Sequence, residues 1–135
     1  MKRILVVEDN PTNLKLATTI LTGAGYKVLQ ARDATVGITE ARHAQPDLIL
    51  MDVQLPGMNG LTAARALKQD PATRAIPIVA LTAFAMRGDE QKMLAAGCDG
   101  YIAKPIRYRE FLERITAVLR ATDRPLRSIK EVSHD

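Results

Sequence analysis

The chain has 135 residues, of which 47% are hydrophobic and 25% charged, proportions that favour a globular domain large enough to bury a core. Cys98 is its single cysteine, so this core forms without an internal disulfide. No apolar run approaches the roughly 20 residues that cross a bilayer, and Glu8-Asp9 interrupts the first run too early for a signal peptide, so we expect a cytoplasmic protein with no membrane partner. The formal net charge is +4, but basic and acidic residues alternate near the C-terminus without a DNA-reading motif, so we expect no nucleic-acid partner.

The first predicted elements are a strand and a helix. Residues 3–7 form a short, partly β-branched apolar run, which predicts strand β1, and the acidic pair Glu8-Asp9 follows it. Asn10-Pro11 then offers a helix N-cap and a proline at the first helical position. Apolar residues recur at spacings of three and four from Leu14 to Ala24, and Gly23 and Gly25 supply a stop, which predicts helix α1 from Pro11 to about these glycines.

The next elements continue this alternation. Strand β2 is predicted over residues 26–31, and Asp33 caps a helix α2 that reaches about residue 43. Residues 48–52 contain an unbroken apolar run too short for a buried helix, which predicts a strand β3 buried on both faces with Asp52 at its carboxyl end. Asn59-Gly60 begins helix α3, which ends near residue 70.

The second half of the chain repeats the pattern. Strand β4 is predicted over residues 77–82, helix α4 over about residues 84–96 and strand β5 over residues 101–103. Helix α5, over about residues 107–122, has the clearest helical period, with six apolar residues on one face: Tyr108, Phe111, Leu112, Ile115, Val118 and Leu119. Residues 123–135 are polar and aperiodic, so we expect one domain over residues 1–122 followed by a disordered tail.

Strands and helices therefore alternate strictly in the predicted order. Because βαβ crossovers are right-handed, this order predicts an α/β fold with a doubly wound parallel sheet and helices on both faces. A five-stranded sheet of this length most often has the flavodoxin-like (βα)5 strand order 2-1-3-4-5, with its switch point between β1 and β3. Ligands bind at such a switch point, outside the carboxyl ends of the strands.

Residues that suit a charged ligand lie at, or directly after, the carboxyl ends of four predicted strands: Glu8 and Asp9 at β1, Asp52 at β3, Thr82 at β4 and Lys104 at β5. Three carboxylates at one edge repel one another unless a cation holds them, and hard oxygen ligands in an open site favour Mg²⁺. A hydroxyl and an ammonium on the opposite side suit phosphoryl oxygens. We therefore infer phosphoryl transfer to or from Asp52.

Each of these residues also has an ordinary structural explanation. A single aspartate at a strand end is usually a turn former or a helix cap, and a threonine there is a β-branched strand residue. A single lysine is usually a surface charge, and an acidic pair often lies in a solvated loop. The functional interpretation is favoured because all of these residues fall at the same end of different strands.

The motifs at these positions resemble a known family. The acidic pair Glu8-Asp9, the turn from Asp52 to Gly60, the pair Thr82-Ala83 and the pair Lys104-Pro105 together resemble the receiver domain of two-component response regulators. The resemblance covers residues 2–122, and it is the combination of motifs that is specific. Only about a dozen residues follow α5, so the chain is most similar to the stand-alone regulators of chemotaxis and cell division.

This resemblance implies a role for each acidic residue. Asp52 would be the phosphoacceptor. Asp9 and Asp52 would bind Mg²⁺, for which Mn²⁺ can substitute, together with the backbone carbonyl of Gln54, and Glu8 would contribute through a water molecule. The protein would assist its own phosphorylation and a slow autodephosphorylation, and it would not be an enzyme in the metabolic sense.

The remaining site residues also receive implied roles. Thr82 would donate its hydroxyl to the phosphoryl group, and Lys104 would pair with a phosphoryl oxygen. The Lys104-Pro105 peptide bond would be cis. Tyr101 matches an aromatic switch position, whose side chain would turn inward when Thr82 shifts toward the phosphate.

The resemblance further implies protein partners. A sensor histidine kinase or a histidine phosphotransfer protein would donate the phosphoryl group, and a downstream protein would bind the phosphorylated form of a monomer or weak dimer. We expect the interface on the surface of α4, β5 and α5, with these candidate residues: Phe84, Met86, Tyr101, Arg107, Tyr108 and Arg109.

Other functions are consistent with parts of the pattern. The main alternative is a phosphorelay receiver of hybrid-kinase origin, since the segments that start at Asn10 and Thr82 resemble that subgroup. A hydrolase of the haloacid-dehalogenase kind needs a second acid where this chain has Gln54, and a flavodoxin-type cofactor binder needs a glycine-rich loop after β1. Nucleic-acid binding through the basic tail would depend steeply on salt.

Overall fold

The structure is a computed structural model that describes residues 1–83 and 87–122, and of residues 87 and 88 only the backbone. Within these residues five strands alternate with five helices: β1 (Arg3–Val7), α1 (Pro11–Gly23), β2 (Lys27–Ala31), α2 (Ala34–Ala44), β3 (Leu48–Asp52), α3 (Gly60–Gln69), β4 (Ile78–Thr82), α4 (Arg87–Ala95), β5 (Gly100–Ala103) and α5 (Tyr108–Thr122). The predicted alternation is confirmed. The predicted tail and residues 84–86 at the predicted start of α4 lie outside the described residues.

The five strands form one parallel sheet in the order β2-β1-β3-β4-β5, as the sequence predicted. Every neighbouring pair is parallel, and the register aligns Val7 with Met51, Asp52 with Leu81, and Thr82 with Ala103. Because parallel strands in this register end together, the residues that follow β1, β3, β4 and β5 meet at one edge.

The sheet is covered by helices on both faces. Leu5, Ile49 and Ile78 point into the core on the side of α2, α3 and α4, whereas their neighbours along the strands point into the core on the side of α1 and α5. All five residues of β3 are buried, and so are all five of β4. Because both faces of these strands are buried, their sequences contain unbroken apolar runs and do not alternate between apolar and polar residues.

Polar side chains begin three of the helices. Asn10 caps α1 by accepting a hydrogen bond from the backbone of Asn13, Asp33 caps α2, and Asn59 caps α3 by accepting from Leu61 N. These caps satisfy backbone N–H groups that have no partner within the helix. The caps confirm the predicted starts of α1, α2 and α3.

One detail of the helix patterns differs from prediction. Tyr108 is predicted on the apolar face of α5, but it is the first residue of the helix and is 62% exposed, whereas Phe111 in the same turn is fully buried. In α2 the helical period allows either Val36 or Gly37 to face inward. It is Gly37 that faces the core, since a Cβ at Gly37 would lie 2.9 Å from a methyl group of Val7. No helix in residues 1–83 and 87–122 is long and apolar enough to cross a membrane.

Candidate functional site

The site lies at the carboxyl edge of the sheet, at the switch point between β1 and β3. Asp52 is the last residue of β3 and Thr82 the last of β4. Both are buried, with 1% and 3% of their surface exposed. Glu8 follows β1 directly and Lys104 follows β5. The structure therefore brings the chemically important residues of four strand ends into one cleft.

Asp52 is held by two donors. Its Oδ2 accepts a hydrogen bond of 3.1 Å from Lys104 Nζ, and its Oδ1 accepts one of 3.0 Å from the backbone N–H of Gln54. A carboxylate at the surface would not need such partners, whereas a buried one is costly without them. The two donors keep both oxygens of Asp52 fixed at the bottom of the cleft.

Glu8 is buried beside Asp52, with 1% of its surface exposed. Its Oε2 accepts a hydrogen bond of 3.2 Å from the backbone of Asn10. Its Oε1 lies 3.3 Å from Lys104 Nζ, yet it is a buried oxygen without a hydrogen bond. Burial, and next the neighbouring Asp52 carboxyl, raise the pKa of Glu8 from its ordinary 4.5 to about 7.

Three carboxylates converge at this edge. Ligand oxygens of Glu8, Asp9 and Asp52 lie within 4.8 Å of one another, and Asp9 is partly exposed while the other two are buried. In the part of the chain that the structure describes, the ammonium of Lys104 contacts two of these acids, Glu8 and Asp52. The hard oxygen donors and the unbonded Oε1 of Glu8 fit a small divalent cation such as Mg²⁺.

Thr82 and Lys104 are joined through the backbone. The N–H of Lys104 donates a hydrogen bond of 2.7 Å to the carbonyl of Thr82, which continues the pairing of β4 with β5. The Lys104–Pro105 peptide bond is cis. Thr82 also lines a cavity of about 200 Å³ that extends past Gln54 and Asn59 to Asp89 on α4. Thr82 thus lies between the acidic cleft and the start of α4.

Three further residues support the site, although their contacts with the acidic residues were not predicted from the sequence. A Cβ on Gly60 would overlap the carbonyl oxygen of Asp52, so only glycine fits where α3 begins. The backbone of Asn10 donates to Glu8, and a guanidinium nitrogen of Arg32 donates a 3.3 Å hydrogen bond to the carbonyl of Asp9. These contacts cannot be predicted from a short sequence motif, because each depends on the path of a loop.

The interface candidates occupy different environments. Tyr101 is half-buried on β5, whereas Arg107, Tyr108 and Arg109 are exposed at the start of α5. Phe84 and Met86, the other two candidates, lie outside the described residues. Exposed cationic and aromatic side chains beside an edge strand are of the kind that protein interfaces use.

Comparison with known proteins identifies relatives along nearly the whole chain. The family model described as "response regulator receiver domain" matches residues 4–116. The chain is 43% identical over 118 residues to the polar-differentiation response regulator DivK of Brucella anthropi, covering 87% of this chain and 96% of that protein. The same identity and coverage are found for DivK of Brucella abortus.

Solved structures give the same result. A CheY-like response regulator receiver domain protein from Methanospirillum hungatei has a TM-score of 0.85 and 30% identity, covering 92% of this chain and 98% of that one. The receiver domain of the sensor histidine kinase PA1611 from Pseudomonas aeruginosa, with a magnesium ion coordinated in its active site cleft, has a TM-score of 0.81 and 36% identity. That match covers 87% of this chain and 97% of the other.

Proposed function

Because the chain belongs to the response regulator receiver-domain family, we propose that it is a phosphorylation-dependent signalling switch whose phosphoacceptor is Asp52. The observation that carries this proposal is the buried Asp52 carboxylate, which is hydrogen-bonded to Lys104 at 3.1 Å inside a cluster of three acids. The receiver domain comprises residues 1–122, and the protein acts in the cytoplasm.

The proposed reaction is transfer of a phosphoryl group from a histidine kinase or a histidine phosphotransfer protein. A carboxylate oxygen of Asp52 attacks phosphorus, a P–O bond forms, and the P–N bond of the donor breaks with its electron pair left on the imidazole nitrogen. Water later hydrolyses the acyl phosphate slowly, which restores the carboxylate and releases inorganic phosphate. The Gln54 N–H bond to Oδ1 fixes the orientation of the attacking group.

The acidic residues are proposed to hold Mg²⁺, or Mn²⁺ in its place. Asp9 and Asp52 would bind the ion directly with the backbone carbonyl of Gln54, and Glu8 would act through a water molecule. When bound, the ion supplies positive charge that offsets the carboxylates and the phosphoryl oxygens. The proximity of the three acids within 4.8 Å and the presence of Mg²⁺ in the PA1611 receiver domain support this assignment.

Lys104 and Thr82 are proposed to stabilise the phosphorylated form. The ammonium of Lys104 exchanges part of its contact with Asp52 for a phosphoryl oxygen, and the hydroxyl of Thr82 donates to another. Because Lys104 N is bonded to Thr82 O, a shift of one residue is transmitted to the other. Tyr101, three residues before Lys104 on β5, then changes its orientation.

The output is proposed to be the binding of a protein partner at the surface of α4, β5 and α5. Arg107 and Arg109 are exposed there, next to Tyr108, which is 62% exposed. A charge reversal such as Arg107→Glu is expected to weaken the binding of a purified partner and to leave phosphorylation by a small donor unchanged. Unchanged partner binding would place the interface elsewhere.

Intact mass spectrometry tests the central step. The protein is incubated with acetyl phosphate, with and without Mg²⁺, beside the variant Asp52→Asn. We expect one phosphoryl adduct that requires Mg²⁺ and is absent from the variant. The absence of any adduct with excess donor and metal, and also with a panel of histidine kinases, would overturn the proposal.

A second candidate function is a phosphorelay receiver that passes its phosphoryl group onward to a phosphotransfer histidine. It is favoured by the similarity to two receiver domains of histidine kinases, at 36% and 31% identity. Phosphorylated protein mixed with a histidine phosphotransfer protein distinguishes the two functions. Loss of the adduct within seconds, with label appearing on the partner, supports a relay, whereas a stable adduct that binds a target supports an output switch.

A further inference from the structure

Tyr101 lies on the edge strand of the sheet and faces the helix α4 side. Its neighbours on β5 face the other way, since Ile102 belongs to the core under α1 and α5, and a Cβ on Gly100 would touch Val118 of α5. The ring of Tyr101 packs instead against the core that contains Met93 of α4. By strand geometry alone, a residue of α5 would not be expected to contact this ring.

Arg114 of α5 nevertheless reaches it. The guanidinium carbon of Arg114 lies over the Tyr101 ring, 5.7 Å from its centroid, within the range in which a cation is attracted to an aromatic face. Because β5 is the edge strand of the sheet, no further strand among the described residues separates the two faces at this edge. The side chain of Arg114 can therefore pass around β5 and cover a ring that faces the opposite side.

Two acidic residues near Arg114 could have paired with its guanidinium in place of the Tyr101 ring. Glu110, one turn earlier on α5, and the adjacent Glu113 line the same shallow groove as Arg114. Even so, Arg114 forms no ion pair with any of the described residues. A solvent-exposed arginine with acidic neighbours on its own helix is thus positioned on a tyrosine ring. The guanidinium is planar and weakly hydrated, which suits stacking better than an ammonium does.

The strand that carries the ring is bonded to the site. Tyr101 pairs with Ala80, Ala103 pairs with Thr82, and the backbone of Lys104 donates to the carbonyl of Thr82 at 2.7 Å. The stacked ring is therefore separated from the proposed phosphate-binding residues by one short, continuously paired stretch. A change in the orientation of the ring and a change at Thr82 are mechanically connected through β5.

We propose that Arg114 is a positioning residue for Tyr101: it stabilises the ring orientation of the unphosphorylated protein and thereby sets the balance of the switch. The part of this inference that concerns phosphorylation rests on the proposed function. A ligand or modification shifts a two-state equilibrium only through its different affinity for the two states. In this proposal the Arg114 contact is made only in the ring orientation of the unphosphorylated protein, so it opposes phosphorylation by the free energy of that contact.

The test uses the full chain with Arg114→Ala, the conservative variant Arg114→Lys, and Arg120→Ala as a matched control on the exposed side of the same helix. The first readout is the NMR signals of the Tyr101 ring in the unphosphorylated protein, assigned with Tyr101→Phe. We expect Arg114→Ala to shift them and increase ring mobility, Arg114→Lys to have a smaller effect, and Arg120→Ala to have none. Unchanged ring signals in Arg114→Ala would overturn the inference, whether or not Asp52 is phosphorylated.

The second readout is the rate of adduct formation with acetyl phosphate and Mg²⁺. Arg114→Ala is expected to accelerate it about two- to fivefold, the range that an exposed cation–π contact allows. If Arg114 only stabilised the fold, Arg114→Ala would lower the thermal stability without accelerating adduct formation. In a Tyr101→Leu background the acceleration should disappear, because the ring is then missing.

The outcomes separate the two proposals. An unchanged or slower rate in Arg114→Ala, or an acceleration that persists in Tyr101→Leu, would contradict the role of Arg114 in the switch. The complete absence of an adduct in the parent protein would instead contradict the proposed function. The ring signals would then decide by themselves whether Arg114 positions Tyr101.

Discussion

Lys104 Nζ donates a hydrogen bond of 3.1 Å to Asp52 Oδ2, although the two residues are 52 positions apart in the chain. The lysine side chain is 17% exposed and that of Asp52 is 2% exposed, so solvent screens this pair only weakly. The same ammonium lies 3.3 Å from Glu8. Lys104 therefore offsets part of the negative charge of these carboxylates. A bound metal ion would compete with it for the same oxygens, and a phosphoryl group on Asp52 would give it a new partner.

The first prediction concerns Lys104→Met, which removes the charge and keeps much of the aliphatic stem. Removing a cation from a cluster of three acids should strengthen Mg²⁺ binding by at least about tenfold, measured by isothermal titration calorimetry. The same variant should form the Asp52 adduct much more slowly, because a phosphoryl oxygen loses its cationic partner.

Lys92→Met, at an exposed position on α4, is the control and should change neither quantity. A variant at Lys104 that binds Mg²⁺ as weakly as the parent would show that the ammonium does not compete with the metal. Tighter metal binding together with a parental phosphorylation rate would contradict the role of Lys104 toward the phosphoryl group.

The second prediction concerns pH and Glu8, whose pKa is raised to about 7 from an ordinary 4.5. Between these two values the folded protein binds more protons than the unfolded chain, so the free energy of unfolding falls as pH rises. We expect metal-free protein to lose up to about 3 kcal/mol between pH 4.5 and pH 7, with no further loss from this group above pH 8.

Urea unfolding in EDTA at several pH values measures this dependence. Glu8→Gln, which stays neutral, should flatten the profile over the same range. Added Mg²⁺ should stabilise the parent most at pH 8, where the carboxyl group is ionised. A parent profile that is flat or rises between pH 5 and pH 7, or a Gln variant that keeps the parental slope, would contradict the assignment to Glu8.

The sheet order and the meeting of the site residues were predictable because they follow from constraints that act along the whole chain. Short apolar runs separated by helical periods require parallel strands, and parallel strands in register bring their carboxyl ends to one edge. Asp52 and Lys104 could be placed in one cleft on this basis. The residue types at the strand ends are the basis of the chemistry proposed above, which remains a prediction.

What sequence could not predict depends on contacts that no period encodes. The close approach of Gly60 to the carbonyl of Asp52 is set by the path of one turn, and the reach of Arg114 to Tyr101 by the open edge of the sheet. Periodicity also placed Tyr108 on the apolar face of α5, although its side chain is 62% exposed. A pattern identifies one face of a helix, but not which residues on that face are covered by the rest of the protein.

The third prediction concerns Gly60→Ala. Its Cβ would meet backbone rather than a flexible side chain, so the turn after Asp52 must move. We expect a loss of about 3 kcal/mol in the free energy of unfolding, together with slower adduct formation, because the same turn carries the N–H that holds Asp52. Gly23→Ala, at the end of α1 with no atom near the new Cβ, should be neutral or stabilising by up to about 1 kcal/mol. Equal stability of both variants would refute the close contact.

The fourth prediction separates stability from signalling. At the end of the sheet opposite the site, Lys68 Nζ contacts the carbonyls of Arg74 and Ile76 and the carboxylate of Asp99, at 3.2, 2.8 and 3.2 Å. Lys68→Met removes three charge-assisted contacts of a side chain that is 21% exposed, so the free energy of unfolding should fall by about 2 kcal/mol. Lys92→Met should cost less than about 0.5 kcal/mol. Mg²⁺ affinity and adduct formation should be parental in both, and a changed rate in Lys68→Met would mean that this end of the sheet is coupled to the phosphorylation site.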